Sequence, residues 1–450
     1  MSSPFLPSPT ILVPHLPPKT FVGLDLISFT STANFHGVKG LPNGWHFLYT
    51  GTTESFSLRC GGWFHVGAIS AAHSNSRALL STRGEALDKD IFIWKWDSDI
   101  EALVPLRGAN DAELQEAMRY KANLGHLWQN GGLFQYRSRV TQSLSSARAA
   151  ATQTADADEE YESEEDAQID WRNLTDRLTP KLLSRIVGSP STDLNGRPRW
   201  AVTSASSASR DADNIPGIEY GAEEKEQEFT FLPVDLKRTW REGAVGRERT
   251  EAAQDRSWAL GDLIRRFSGT PPDVTKEDER WGELQIVGEL QFAFLMALTI
   301  MNYSCLQQWK RLLELILTSR RAITEREPFM AEVIRLLLNQ LKRCDDVEGG
   351  FFQTDGDGGG EFLRKLLTRF KTYLDEEVNG VESAVKTAMD ELDAWVKEEY
   401  DWELRREAIV RRGMLQLEDG EQVEMDVADA DADEESGEYA PLVVDLEDCS

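Results

Sequence analysis

The chain has 450 residues, of which 40% are hydrophobic and 9% aromatic. This apolar content is enough for at least one large core, which excludes a chain that is disordered throughout. The formal net charge is −28, with a net of +2 on residues 1–150 and −30 on the rest. A surface with this much negative charge repels the phosphate groups of nucleic acids. We therefore expect no direct binding of nucleic acid and a basic protein surface as partner.

Cysteine usage and hydropathy indicate the compartment. The four cysteines lie far apart and form no CxxC pair, which is typical of a reduced cytosolic or nuclear protein; they are Cys60, Cys305, Cys344 and Cys449. The most apolar stretch, residues 292–301, is too short for a bilayer, which needs about twenty residues. Flanked by Glu289, Gln291 and Asn302, it is predicted to be a buried helix of a soluble protein with no membrane contact.

The N-terminal half reads as strands and turns. After a proline-rich arm over residues 1–20, which has no basic region and so no signal-peptide pattern, residues 21–107 alternate short apolar runs with glycine clusters. In residues 91–96, the alternation puts Phe92, Trp94 and Trp96 on one strand face and Ile91 and Ile93 on the other. Residues 111–136 are predicted to be helical, closing a sandwich or small barrel.

Two low-complexity stretches divide the chain. Residues 137–169 run from Ser/Thr/Ala-rich sequence into an acidic segment, which predicts a disordered insertion in an N-terminal domain spanning residues 21–187. Residues 188–226 are predicted to be a linker. Order is expected between the two stretches, at residues 171–187.

Residues 227–412 are predicted to form a helical domain. Apolar residues there recur at the helical spacing i, i+3, i+4, i+7 in four runs, within residues 309–317, 330–341, 363–370 and 385–396. Beyond Arg412 there is no Lys or Arg, so residues 413–450 are predicted to be a disordered acidic tail. The fold class is multidomain α+β, with a β-rich, sandwich-like N-terminal domain, closing helices and an all-α C-terminal domain.

No enzyme motif is present. The sequence has no GxSxG elbow, no GxxxxGK[ST] phosphate loop and no HExxH, and its six histidines are not spaced as paired ligands. We therefore expect no catalytic activity, no cofactor and no metal. An unrecognised hydrolase using Asp25 or His46 stays open as an alternative. Residues 355–361 resemble a calcium loop, but its twelfth position falls on Leu366, so a helix–helix loop is preferred.

Two segments are candidates for regulation and binding. Ser163 precedes Glu-Glu-Asp, a pattern that suits an acidophilic kinase, so the acidic stretch 156–166 is either a solvated spacer or a phosphorylated switch. The end of the tail is β-prone and could add a strand to a partner's sheet edge, or it could be a frayed terminus. The predicted partner-binding residues are Tyr439, Leu442, Val443, Val444 and Leu446.

Several segments resemble the cistron-splicing factor family, the assembly factors of the U5 small nuclear ribonucleoprotein. They are Gly23-Leu-Asp25, residues 35–47, Ile93-Trp94-Lys-Trp96-Asp97, Trp171-x-x-Leu174-Thr175, and the string Gly288-Glu289-Leu290-Gln291-Phe292-Ala293-Phe294 with the downstream Trp309-Lys310. The matches cover about two thirds of the chain. The long acidic insertion and the Ser-rich linker depart from the family pattern, so no phosphosite is carried over from it.

The resemblance implies a fold and a function. The fold is a β-rich domain followed by a helical domain similar to the VHS class. The function is to bind the central scaffold protein of the U5 particle at its RNase H-like and Jab1/MPN-like domains. Within precursor U5 components, it keeps helicase and RNA off until maturation. We expect a monomer when free, located in cytoplasm and nucleus. A VHS-like trafficking adaptor is the alternative.

Overall fold

The structure is a computed structural model that describes residues 8–52, 58–67, 91–137, 164–208, 228–268, 276–344, 360–378, 383–404, 412–416 and 422–426. In its N-terminal half, two sheets are built from β1 (Thr10–Leu12), β2 (Phe21–Leu24), β3 (Ile27–Thr30), β4 (Gly37–Lys39), β5 (Gly44–Gly51), β6 (Arg59–Val66), β7 (Ile91–Asp97), β8 (Ala102–Pro105), β9 (Leu133–Gln135), β10 (Ser191–Thr192) and β11 (Pro198–Thr203). The first sheet has the order β8-β7-β1-β4-β9, and the second has the order β10-β11-β6-β5-β2-β3.

The two sheets enclose one core, which confirms the predicted sandwich. Val38, Phe92 and Trp94 from the first sheet share a buried cluster with Leu48 and Phe64 from the second. The outer face of the first sheet is covered by α1 (Asp111–Gln129), against which Ile91 and Ile93 pack. The predicted alternation along β7 is therefore confirmed, and this strand is buried on both faces.

The second sheet is also covered on both faces. In β5, Leu48 faces the sandwich core, whereas the Phe47 ring packs at a tilt against the Trp63 ring, with centroids 5.0 Å apart. Trp63 in turn stacks on Trp171, and the centroids of the Trp63 and Phe292 rings lie 6.4 Å apart. Because Trp171 and Phe292 belong to helices, helices pack on this face of the sheet. Seven of the eight β5 residues are buried, as expected for a strand between two apolar layers.

The structure corrects three boundaries of the sequence analysis. Residues 10–12, predicted to belong to a proline-rich arm, form the central strand of the first sheet because Thr10-Ile-Leu12 separates the flanking prolines. The linker 188–226 contains β10 and β11, and Trp200 of β11 pairs with Trp63. The predicted helix 111–136 ends at Gln129, since Gly131-Gly132 breaks it before β9.

The helices of the second half match the four predicted apolar runs. The described helices after α1 are α2 (Glu164–Asn173), α3 (Pro180–Val187), α4 (Arg247–Gln254), α5 (Ser257–Phe267), α6 (Lys276–Ile300), α7 (Tyr303–Leu317), α8 (Ala322–Glu325), α9 (Glu327–Leu341), α10 (Glu361–Val378) and α11 (Ala384–Tyr400). Because α2 begins at Glu164, the end of the insertion predicted over 137–169 is helical. Most of the calcium-like loop lies outside the described residues.

Helix α6 contains nearly all of the apolar stretch 292–301 for which the sequence predicts a buried helix. Its segment 279–300 is long and apolar enough to cross a membrane by composition, yet 94% of its most apolar window is buried within the protein. The segment therefore forms a core helix, as predicted. The polar residues expected to flank its apolar centre are themselves buried: Glu289 and Asn302 are fully buried, and Gln291 is 1% exposed.

The described chain divides into two compact units. The first comprises residues 1–319 and 335–356, and thus joins the sandwich to helices α2 to α7. The second comprises residues 320–334 and 357–450 and contains α8, α10 and α11. Within the predicted disordered tail, β12 (Arg412–Gln416) pairs antiparallel with β13 (Gln422–Asp426). Asp419-Gly420, a dipeptide typical of hairpin turns, lies between these strands in the sequence.

We predict that the acidic insertion and α2 contribute very differently to stability. Deleting residues 142–160 should change the free energy of unfolding by less than about 1 kcal/mol, because this Ser/Ala-rich and acidic sequence contains few large apolar side chains that could add to a core. Extending the deletion to residue 173 removes Trp171 from its stack on Trp63 and should cost about 3–5 kcal/mol. Urea unfolding measures both values, and equal effects of the two deletions would contradict this assignment.

Candidate functional site

The residues predicted to bind a partner lie outside the described chain. Tyr439, Leu442, Val443, Val444 and Leu446 follow the last described residue, Asp426, and Ser163 directly precedes the first residue of α2. The structure neither brings these residues together nor separates them, so the strand-addition and phosphorylation hypotheses stay predictions. The described structure instead contains two buried polar networks, each centred on residues from the segments that carry the family resemblance.

Asp25 and His46 form the centre of the first network. Asp25 accepts hydrogen bonds from the His46 Nδ1 at 2.7 Å, the Tyr136 hydroxyl at 2.6 Å and the Phe47 N–H at 2.9 Å. The other imidazole nitrogen of His46 lies 2.9 Å from the carbonyl of Pro42. Since a carbonyl only accepts and the Asp25 carboxylate also accepts, both imidazole nitrogens donate, which requires an imidazolium cation.

The electrostatics of His46 agree with that protonation state. Burial by itself lowers the pKa of His46. The charge of Asp25 and the hydrogen bonds to Asp25 and Pro42 raise the pKa, and together they outweigh burial, so the net shift is upward from 6.5. Each side chain is 1% exposed. A buried pair with every polar atom engaged holds β2, β5 and the Pro42 turn together; it does not offer the hydrolase alternative a nucleophile or base that reaches solvent.

We predict a pH-dependent contribution of His46 to stability. Because its folded pKa is raised, the contribution is fully present below the unfolded pKa near 6.5 and is lost as the pH rises through the folded pKa. The free energy of unfolding of the parent, measured by urea titration from pH 6 to pH 9, should fall relative to that of His46→Gln, which does not titrate. A difference between the two proteins that stays constant or grows with pH would contradict the imidazolium assignment.

Glu289, in the middle of α6, forms the centre of the second network. Its carboxylate accepts the Leu232 N–H at 2.9 Å, the Gln308 side-chain amide at 2.8 Å and the Arg185 guanidinium at 2.8 Å. Burial raises the pKa of Glu289, while the Arg185 charge and the two N–H donors oppose that shift. The carboxylate thus connects α6 at one point to three other elements, which are α3, α7 and the segment that precedes α4.

The residues beside Glu289 extend the same junction. The Gln291 side chain accepts the Arg177 N–H at 2.9 Å and donates to the carbonyl of Asn173, the last residue of α2, and to the carboxylate of Asp176 in the turn between α2 and α3. At Gly288, an added Cβ would come within 2.8 Å of the carbonyl oxygen of Arg177. The string Gly288-Glu289-Leu290-Gln291 therefore allows α6 to approach the backbone of the α2–α3 turn closely.

We predict that removing the Glu289 carboxylate destabilises the first unit strongly. Glu289→Ala leaves the Arg185 charge and two N–H donors buried with fewer partners, and truncating one member of a buried ion pair costs about 3–5 kcal/mol. Urea unfolding measures the loss. The matched control Glu391→Ala removes an exposed carboxylate and should cost less than about 0.5 kcal/mol. Similar losses in both variants would contradict this account of the junction.

Comparison with protein families matches both halves of the chain. Residues 7–188 match the family model described as the AAR2 N-terminal domain, and residues 231–405 match the AAR2 C-terminal repeat region. The chain belongs to the AAR2 family. This confirms the resemblance to the U5 small nuclear ribonucleoprotein assembly factors and supports a splicing-related role.

Curated relatives agree over nearly the full length. The Protein AAR2 homolog of Mus musculus is 26% identical over 405 residues, and that of Homo sapiens is 24% identical over 409 residues. The Pongo abelii homolog is also 24% identical over 409 residues. In each case the similarity spans 90% of this chain and 92% of the relative. The AAR2 architecture of a β-sheet domain followed by a helical region is therefore shared by this chain.

The segments that carried the resemblance meet in space. Asp25 and His46 come from two of them and form the first network, whereas Trp171 donates from its indole to the carbonyl of Trp45 at 2.8 Å. The role of Arg185, the partner of Glu289, is not predicted from the sequence, because a single Arg beside Leu182 and Ile186 carries no motif. The same holds for Arg59, whose guanidinium donates to the Thr299 carbonyl at 2.7 Å near the end of α6.

Proposed function

We propose that this AAR2-family protein is a non-catalytic assembly factor of the U5 small nuclear ribonucleoprotein that binds the central scaffold protein of that particle. The observation that carries the proposal is the family match over both halves of the chain. In this proposal, the protein holds the scaffold at its RNase H-like and Jab1/MPN-like domains in cytoplasm and nucleus. It keeps helicase and RNA away until maturation.

The charge distribution supports an assembly role of this kind. A chain with a formal charge of −28 repels RNA, so an occupied scaffold surface is protected electrostatically as well as sterically. The same acidity favours a basic surface on the scaffold protein. The buried Asp25–His46 pair agrees with a binding protein, since its polar atoms are consumed by internal hydrogen bonds.

A pull-down from nuclear and cytosolic extract tests the proposal. The tagged chain should recover the scaffold protein with precursor U5 components and should recover little helicase. Recovery of sorting receptors would support the VHS-like trafficking alternative instead. Recovery of neither class would refute the proposal. The purified chain, which we expect to be a monomer when free, should also bind recombinant RNase H-like and Jab1/MPN-like fragments of the scaffold directly.

We predict that the tail acts by adding a strand to the scaffold. Val443→Pro removes a backbone donor and restricts φ within the segment that carries Leu442 and Val444, so binding to the Jab1/MPN-like and RNase H-like fragments should weaken about tenfold or more. Calorimetry with the two fragments measures the change. Glu435→Ala, in the acidic sequence before this segment, should bind like the parent. Equal affinity of Val443→Pro and the parent would refute strand addition.

Phosphorylation of Ser163 belongs to the same proposal as its regulatory part. A phosphate there adds negative charge to the acidic sequence directly before α2. Since the proposed partner is basic, the modification would change docking by electrostatics, without altering the core.

A further inference from the structure

The second unit carries a compact group of aromatic side chains at the end of α11. The rings of Trp395 and Tyr400 meet edge to face with centroids 5.4 Å apart, and Tyr400 and Trp402 lie 5.1 Å apart. All three side chains are half-buried. We call these three residues the aromatic surface.

The backbone around the aromatic surface is arranged to hold it. Asp401 adopts the left-handed conformation, with φ 53° and ψ 33°, which ends α11 and turns the chain back. The N–H groups of Asp401 and Trp402 both donate to the carbonyl of Val396. Trp402 then packs on the backbone of Gly360, where an added Cβ would lie 2.2 Å from the indole. The rings are therefore positioned before any partner arrives, which lowers the entropic cost of binding.

Exposed carboxylates are interleaved with the rings. In the ten residues from Trp395 to Leu404, the exposed acidic residues are Glu398, Glu399, Asp401 and Glu403, against one exposed base, Lys397. Aromatic faces attract cations through their quadrupole, and the neighbouring carboxylates attract the same charges directly. Tryptophan and tyrosine are also the residue types that dominate binding hot spots. Ring chemistry and charge therefore select the same kind of ligand.

We propose that the aromatic surface binds an arginine-bearing segment of a partner protein. A guanidinium group can stack on an indole or phenol ring while its N–H groups bind a carboxylate, a combination that the compact, strongly hydrated lysine ammonium meets less well. Phosphate groups are repelled by the carboxylates, and an apolar peptide would bury those carboxylates without partners. The inference rests on the proposed function, because it assigns part of the scaffold contact to this surface.

The first experiment tests the surface with defined peptides. Full-length protein is titrated by calorimetry with an acetylated Arg-Gly repeat peptide and with a Lys-Gly peptide of equal length. We expect the arginine peptide to bind about fivefold or more tightly, since stacking adds to charge attraction. Trp395→Leu should abolish this preference while circular dichroism shows an unchanged helix content.

Charge-reversal variants distinguish binding by the aromatic surface from a general effect of the chain's negative net charge. Glu399→Lys combined with Glu403→Lys should weaken binding of the arginine peptide about tenfold. The control, Glu242→Lys combined with Glu325→Lys, changes the net charge equally at exposed residues elsewhere and should bind like the parent. Equal affinity for the two peptides, or equal weakening in both double variants, would overturn the inference.

A parallel titration with the scaffold protein distinguishes this inference from the proposed function. If the parent binds the scaffold fragments and the Glu399→Lys, Glu403→Lys variant binds them equally well, the surface is not used and the inference fails, while the proposed function stands. If the parent binds no scaffold fragment, the proposed function fails, and the peptide titrations alone decide whether the surface recognises arginine.

Discussion

The first unit depends on a carboxylate buried in the middle of an apolar helix. An isolated charge at Glu289 would be very costly, so the surrounding chain must supply donors, and it does so from Arg185, Leu232 and Gln308. These donors lie on three separate segments. Satisfying one charge therefore fixes α3, the segment before α4, and α7 relative to α6. Hydrophobic packing alone would allow these elements to slide, because it is not directional.

The sheets use the same principle on a smaller scale. The buried Asp25–His46 pair joins two strands and a turn of the second sheet, and the Tyr136 hydroxyl connects it to the residue that follows β9 of the first sheet. Around it, the sandwich core and the aromatic layer of Trp63, Trp171 and Phe292 bury both faces of β5 and β6. A binding protein gains from this rigidity, since a partner meets surfaces that are already ordered.

The position of strand β11 shows how a domain boundary in sequence differs from one in space. The low-complexity composition around residues 204–226 favours a linker, yet Trp200 and Val202 are buried in the second sheet. Asn302, the N-cap of α7, donates to the carbonyl of Thr203 at the end of that strand and to the carbonyl of Ser206 just beyond it. The sandwich and helices α6 and α7 consequently form one compact unit, although their sequence patterns belong to different fold classes.

The sequence by itself determined the fold class, the alternation of β7, the four apolar helix runs and the family, because periodicity and local motifs depend on near neighbours in the chain. It did not predict that Glu289 is a buried centre and not a polar flank, or that Arg185 is its partner. It also did not predict that residues 10–12 lie in the middle of a sheet. These features depend on pairings between residues far apart in sequence, such as Thr10 with Ile91, for which local composition carries no signal. Only the tertiary structure brings such groups together, since a buried charge selects its donors by position in space.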